Sequence, residues 1–168
     1  MSKELINTIL SRRSIRKYTK EPITEEEIKN LIESAMAAPS ASNLKPWHFI
    51  VVTERETLNK LAEAHQHAKM LNEATLCISV CGDPDASRFW VQDCSAATEN
   101  ILLAVTALGL GAVWCGVHPR PERVSEISKI LGIKAPIVPL NLIAIGHPAE
   151  EKEPRTQYDE SRIHREKW

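Results

Sequence analysis

The stretch Asp93-Cys94-Ser95-Ala96-Ala97-Thr98-Glu99-Asn100-Ile101-Leu102-Leu103-Ala104-Val105-Thr106-Ala107-Leu108, followed by Gly109-Leu110-Gly111-Ala112-Val113-Trp114, sets the architecture. Its apolar residues fall on nearly every side of a helix over 93–108, leaving Asp93, Ser95, Thr98, Glu99, Asn100 and Thr106 as polar members. A surface helix carries one apolar stripe, whereas a helix apolar almost all round lies at the centre of something. In a chain of 168 residues, a subunit interface is a natural way to cover it. Gly109 is placed to cap that helix, and residues 112–117 then read as a strand.

Working outward, a helix over 121–131 has Pro121 in its first turn and Gly132 just past its end, and 140–145 is a strand. Upstream, 76–81 is a buried strand and 49–52 a short interior one. Between them, 54–68 is amphipathic, with Leu58, Leu61, Ala62 and His65 on one side of a helix. Thr24 and Glu27 form a capping box for a helix that stops before Pro39. Leu5, Ile6, Ile9 and Leu10 make an apolar stripe on a first helix over 3–11. Helices and strands intersperse without a sustained βαβ repeat. The fold class is therefore α+β, a small mixed or antiparallel sheet flanked by helices, in one domain over 1–168. The charged tail from Pro148 closes on Trp168, so it is expected to wrap across a surface.

A 43% hydrophobic fraction supports a core able to hide roughly 70% of the unfolded chain's surface. The net charge of -1 supplies no general field for nucleic acid, so any basic site is local. No run of about 18 apolar residues appears, nor a signal peptide's apolar core near the N-terminus. The chain reads as cytoplasmic, with neither a membrane nor a nucleic acid as partner. Cys77 and Cys81 lie four residues apart on a strand, about 13 Å, too far to share one metal. Cys94 and Cys115 add no Cys-x-x-Cys, so all four read as buried thiols. His65 and His67, two apart on a predicted helix, diverge. No metal site is predicted.

Arg12-Arg13-Ser14-Ile15-Arg16 puts three cations and a hydroxyl within five residues, at the end of the first helix. Guanidinium forks grip phosphate oxygens bidentately, although such a cluster can equally be a solvated helix end. Gly109-Leu110-Gly111 lacks the third glycine of a dinucleotide fingerprint, because Trp114 stands there. Gly111 to Gly116 has Walker spacing, but Val117-His118 follows where Lys-Ser/Thr is required. There is no Gly-x-Ser-x-Gly elbow and no His-Glu-x-x-His pair, and Glu25, Glu26 and Glu27 are the acidic first turn of a helix. No side chain stands out as a nucleophile. That silence fits an enzyme whose hard chemistry belongs to a cofactor.

Taken in order, the arginine run, Ala38-Pro39-Ser40-Ala41-Ser42-Asn43-Leu44-Lys45-Pro46-Trp47, the helix running into Trp114, and the closing stretch from Gly146 resemble the nitroreductase family of flavin mononucleotide (FMN) enzymes. The likeness extends from about Leu5 to Trp168. It implies an intertwined homodimer with FMN at the subunit interface. By that resemblance Arg12, Arg13, Ser14 and Arg16 match the family's FMN-holding pattern. Arg12 and Ser14 go to the phosphate or ribityl end and Arg16 to the N1/O2 edge. Ser40 and Asn43 are the matching polar positions of a loop that meets the flavin, often from the other subunit. Backbone amides near Trp114, Cys115 and Gly116 correspond to those facing the isoalloxazine. Gln157 stands where relatives carry a basic residue before Tyr-Asp/Glu, with Arg155 two residues earlier, so either serves the phosphate.

The resemblance further implies that NADH or NADPH delivers hydride to the flavin and that small electron-poor acceptors, nitroaromatics or quinones, collect it in a ping-pong cycle. Dehalogenating or flavin-fragmenting relatives share the same FMN motifs, and a flavin carrier or sensor without turnover is the reading from another class. The short stretch between Leu71 and Trp90 leaves little room for a substrate lid, which favours an open pocket.

Overall fold

The computed structural model describes residues 2–154 and 156–168. Five helices, α1 (Ser2–Ser11), α2 (Glu25–Met36), α3 (Arg55–Ala64), α4 (Trp90–Ala107) and α5 (Pro121–Leu131), alternate with four strands. The strands are β1 (Trp47–Val52), β2 (Leu76–Gly82), β3 (Gly111–Gly116) and β4 (Val138–Gly146). They form one sheet in the order β1-β2-β4-β3, antiparallel at every pairing. The parallel component of the expected mixed sheet is reduced to a single bridge, Ser14 to Ala112.

Side chains alternate across the sheet and build two cores. Leu76, Ile78, Val80, Ile143 and Ile145 face α2 and α4, whereas Cys77, Leu142 and Ala144 face α3 and α5. The alternation slips once in β4. A bulge opposite Val80 and Cys81 leaves Leu140 unpaired, so Leu140 shares a face with Ile143 three residues on. Helix α4 lies under this face, and Asn141 joins it to the sheet by donating from Nδ2 to the Thr98 hydroxyl at 2.9 Å. Both side chains are fully buried, so Thr98→Val strands an amide donor. Urea unfolding of that variant should show a loss of about 1–2 kcal/mol.

Local signals explain the ends of these elements. Thr24 and Glu27 form the reciprocal capping box, and Gly132 closes α5 at φ 67. Helix α4 starts at Trp90, three residues earlier than its apolar pattern suggests, because Trp90 turns inward to the core. Helix α3 ends at Ala64 instead of 68. His65 leaves helical geometry (φ -122, ψ 104) because its imidazole is buried beneath the end of β3. The divergence expected of His65 and His67 therefore does not occur. They sit on a turn, 6.2 Å apart between ring centroids. The tail follows the surface as expected, although Trp168 is fully exposed and stacks on His164.

The stripe on α1 stays uncovered within one chain: Leu5, Ile6, Ile9 and Leu10 are between 41% and 64% exposed. Leu5 and Thr8 border a shallow groove with Leu103, Ala104 and Ala107 of α4. Among the described residues, no helix is long and apolar enough to cross a membrane.

Candidate functional site

The arginine run leaves α1 and lies along the outer edge of β3. Ile15 donates its N–H to Ala112 O at 2.9 Å, and the single Tyr18 hydroxyl proton is shared between Ile15 O (2.5 Å) and Ala144 O (3.2 Å). Burial raises the Tyr18 phenol far above its usual range, so it stays a donor. Two glycines make this close approach possible. A Cβ on Gly111 would stand 2.7 Å from Ile15 Cγ2, and one on Gly146 2.9 Å from the Tyr18 ring.

The start of the tail straps the segment down. Lys152 Nζ donates to Ser14 O at 2.6 Å, Arg16 N–H to Glu150 Oε1 at 2.6 Å, and the Arg13 guanidinium to Glu153 O. The Arg16 N–H, helped by Lys152, holds the Glu150 carboxyl below its usual range. Arg12 and Arg13 border a small cavity of about 150 Å³ with Glu150 and Lys152, and Arg12 lies 3.8 Å from Glu99.

A larger cleft of about 480 Å³ opens where this segment, the turn after α3 and the end of β3 meet. Arg16, His67, Lys69, Trp114, Gly116 and Arg123 are among its lining residues, and no carboxylate is. His65 forms part of its wall. Its Nδ1 accepts the His67 N–H at 3.1 Å, so Nε2 carries the proton and donates to Gly116 O at 2.8 Å. Arg123 Nη1 donates to the same carbonyl at 3.2 Å. Burial lowers the proton affinity of His65, which keeps this neutral tautomer in place. The Cys115 thiol is pushed up to about 11 by burial, against the opposing fields of Arg16 and Arg123. It packs on His67 O and the Met70 sulfur as a neutral wall group.

Of the residues singled out from sequence, the structure brings Arg16, Trp114, Cys115 and Gly116 to this cleft, whereas Arg12 and Arg13 border the smaller cavity on the α4 side of the sheet. Ser14 sits between them on the bridge to Ala112. Ser40 and Asn43 line neither space. Their loop is pinned to α4 by the Ala41 N–H donating to the buried Asp93 carboxylate at 2.9 Å. The same loop holds Ser42, Asn43 and Lys45 at φ 52, 55 and 49, left-handed values that non-glycine residues adopt only under constraint. Gln157 lies on the exposed tail, and Arg155 lies outside the described residues. The cleft also uses Gln66, His67, Lys69 and Arg123, which the sequence reading missed. The one signal for the first three was the clash between a helical pattern and the polar run His65-Gln66-His67.

An α+β sheet with a cationic cleft at one strand end, and no nucleophile in it, is the frame of a cofactor enzyme. The chain belongs to the nitroreductase family, whose model matches residues 9–74 and 65–147. It is 48% identical over 172 residues to the "Putative NADH dehydrogenase/NAD(P)H nitroreductase" of Archaeoglobus fulgidus, covering 98% of this chain and 99% of that one. A crystal structure of a protein of the same description from Parabacteroides distasonis superposes with a TM-score of 0.96 at 43% identity, over 98% of this chain and 99% of that one. An FMN-dependent nitroreductase from Clostridium difficile R20291 superposes with a TM-score of 0.92 at 29% identity, over 97% and 99% of the two chains.

Proposed function

We infer that this chain is an FMN-dependent oxidoreductase that takes hydride from NADH or NADPH and reduces small electron-poor acceptors such as nitroaromatics and quinones. The observation that carries the reading is the cleft at the end of β3, where three permanent cations face one space without a carboxylate. Its chemistry suits a planar group that becomes anionic on reduction. A Cβ on Gly116 would meet no atom within 4 Å, so the bare backbone there faces open space that a ring system can fill.

Arg16 would take the pyrimidine edge, with the backbone of Trp114, Cys115 and Gly116 along the central ring. Arg12, Arg13 and Ser14 would hold the ribityl phosphate, with Arg155 or Gln157 completing that end. FMN, when bound, supplies a hydride-accepting centre that serves donor and acceptor in turn, which gives ping-pong kinetics. The protein's own part is to bind, to orient and to place positive charge. The neutral His65 donates to the Gly116 carbonyl and fixes the end of β3 beside the cleft.

The reading includes a cytoplasmic homodimer. The uncovered stripe of α1 supports a second copy as its cover, and the loop bearing Ser40 and Asn43 would then reach the cleft of that second copy. Light scattering should give a mass near twice 18.8 kDa.

The purified protein should show a flavin visible spectrum, release FMN on heating, and bleach rapidly when NADH or NADPH is added without oxygen. A colourless protein that takes up no added FMN would sink the reading, and a flavin that fails to bleach would make the chain a carrier. Arg16→Gln should weaken FMN binding roughly thirtyfold, about 2 kcal/mol, in a fluorescence titration of the apoprotein.

A further inference from the structure

Arg123 differs from the other cations of the cleft in origin and in surroundings. Arg16 comes from the N-terminal segment and Lys69 from the turn after α3, whereas Arg123 projects from the first turn of α5. Its bond to Gly116 O fixes the guanidinium at the strand end and uses one of five N–H donors. Among the described residues it forms no ion pair, so its charge is not cancelled locally. Its field reaches the interior of the site, opposing protonation of His65 and, together with Arg16, favouring the thiolate of Cys115. The Met70 side chain and the backbone of Trp114, Cys115 and Gly116 line the same cleft, leaving room for a flat ring.

We propose that Arg123 makes this site select acceptors that carry a carboxylate, or another anionic group, on an aromatic or quinoid ring. The proposal rests on the flavin reading above. One cation, Arg16, answers the charge of the cofactor's pyrimidine edge. Arg123 stands on a different element and remains for the molecule that binds next to the cofactor. A guanidinium fork and a carboxylate make a charge-assisted, often bidentate pair, which gives direction as well as attraction. Such a pair at an open cleft is screened by salt, so the selectivity is a low-ionic-strength property.

Benzoate and benzamide provide the test, since they share a ring and size, differ in charge and cannot be reduced by hydride. Each is titrated into FMN-loaded protein at low salt, and binding is read from the shift of the flavin absorption bands. Benzoate should bind roughly tenfold tighter than benzamide, as one hydrogen bond to a charged group allows. The ratio should fall to within about twofold in Arg123→Gln, persist in Arg123→Lys, and shrink with added salt. Equal affinities in the unmodified protein, or a ratio that survives Arg123→Gln, overturn the proposal and leave the flavin reading standing. A protein that takes up no FMN overturns both.

Discussion

His65→Ala is expected to lower stability by about 3–5 kcal/mol, with a parallel loss of FMN affinity. The imidazole is only 1% exposed, so its removal leaves a cavity. It also strands two polar groups, the His67 N–H and part of the Gly116 carbonyl's bonding. A buried group left without its partner costs its full desolvation penalty. Because His67 and Lys69 follow on the same turn, the damage reaches the cleft directly. Urea denaturation of the apoprotein measures the first effect, and FMN titration the second. His65→Gln, which can still donate to Gly116 O, should recover part of both.

The same residue gives the fold a pH dependence. Burial lowers its proton affinity, so the folded state favours the neutral ring. Below an ordinary histidine pKa of about 6.5, the unfolded chain binds the proton more readily than the folded one. Stability from this group is therefore complete above that pH and is lost as pH falls toward the lowered folded value. Unfolding curves between pH 7 and pH 5 should show a shallower decline for His65→Gln than for the unmodified protein. An identical decline would mean that another group titrates there.

Gly146→Val should cost about 3–4 kcal/mol, through the segment that carries the arginines. The first added carbon already stands 2.9 Å from the Tyr18 ring, and the valine adds two more. Tyr18 must move, and with it go its hydroxyl bonds to Ile15 O and Ala144 O. Arg16 lies two residues away, so the variant should lose flavin as well as stability. Differential scanning calorimetry and the flavin content of the purified variant read the two losses. A variant with unchanged melting temperature would show that the segment docks without Tyr18.

The strength of a local signal decided what could be read in advance. Helix α5 runs over 121–131 as its proline and glycine indicate, because both residues act through their own backbone. The capping box at Thr24 is equally self-contained. Helix α3 stops four residues short of its amphipathic pattern, because His65 continues the apolar stripe yet its contact with Gly116 turns it out of the helix. The cleft was legible where backbone and motif coincide, at Arg16 and at 114–116. It was invisible at Lys69 and Arg123, charged residues with no pattern, which become neighbours only when α5 and the turn after α3 pack on one face of the sheet. The loop of Ser40 and Asn43 lies outside its own chain's cleft because Asp93 anchors it to α4.

The strap that fastens the arginine segment comes from residues 149–153, near the far end of the chain. Its partners Arg13, Ser14 and Arg16 precede it by 134 to 140 residues, and Lys17 joins through Ala149. Closing so long a loop defers the contact until other structure has formed. The arginine segment therefore stays unfastened until residues 149–153 have been made. A chain that lacks 148–153 would keep the arginines without the means to hold them in place.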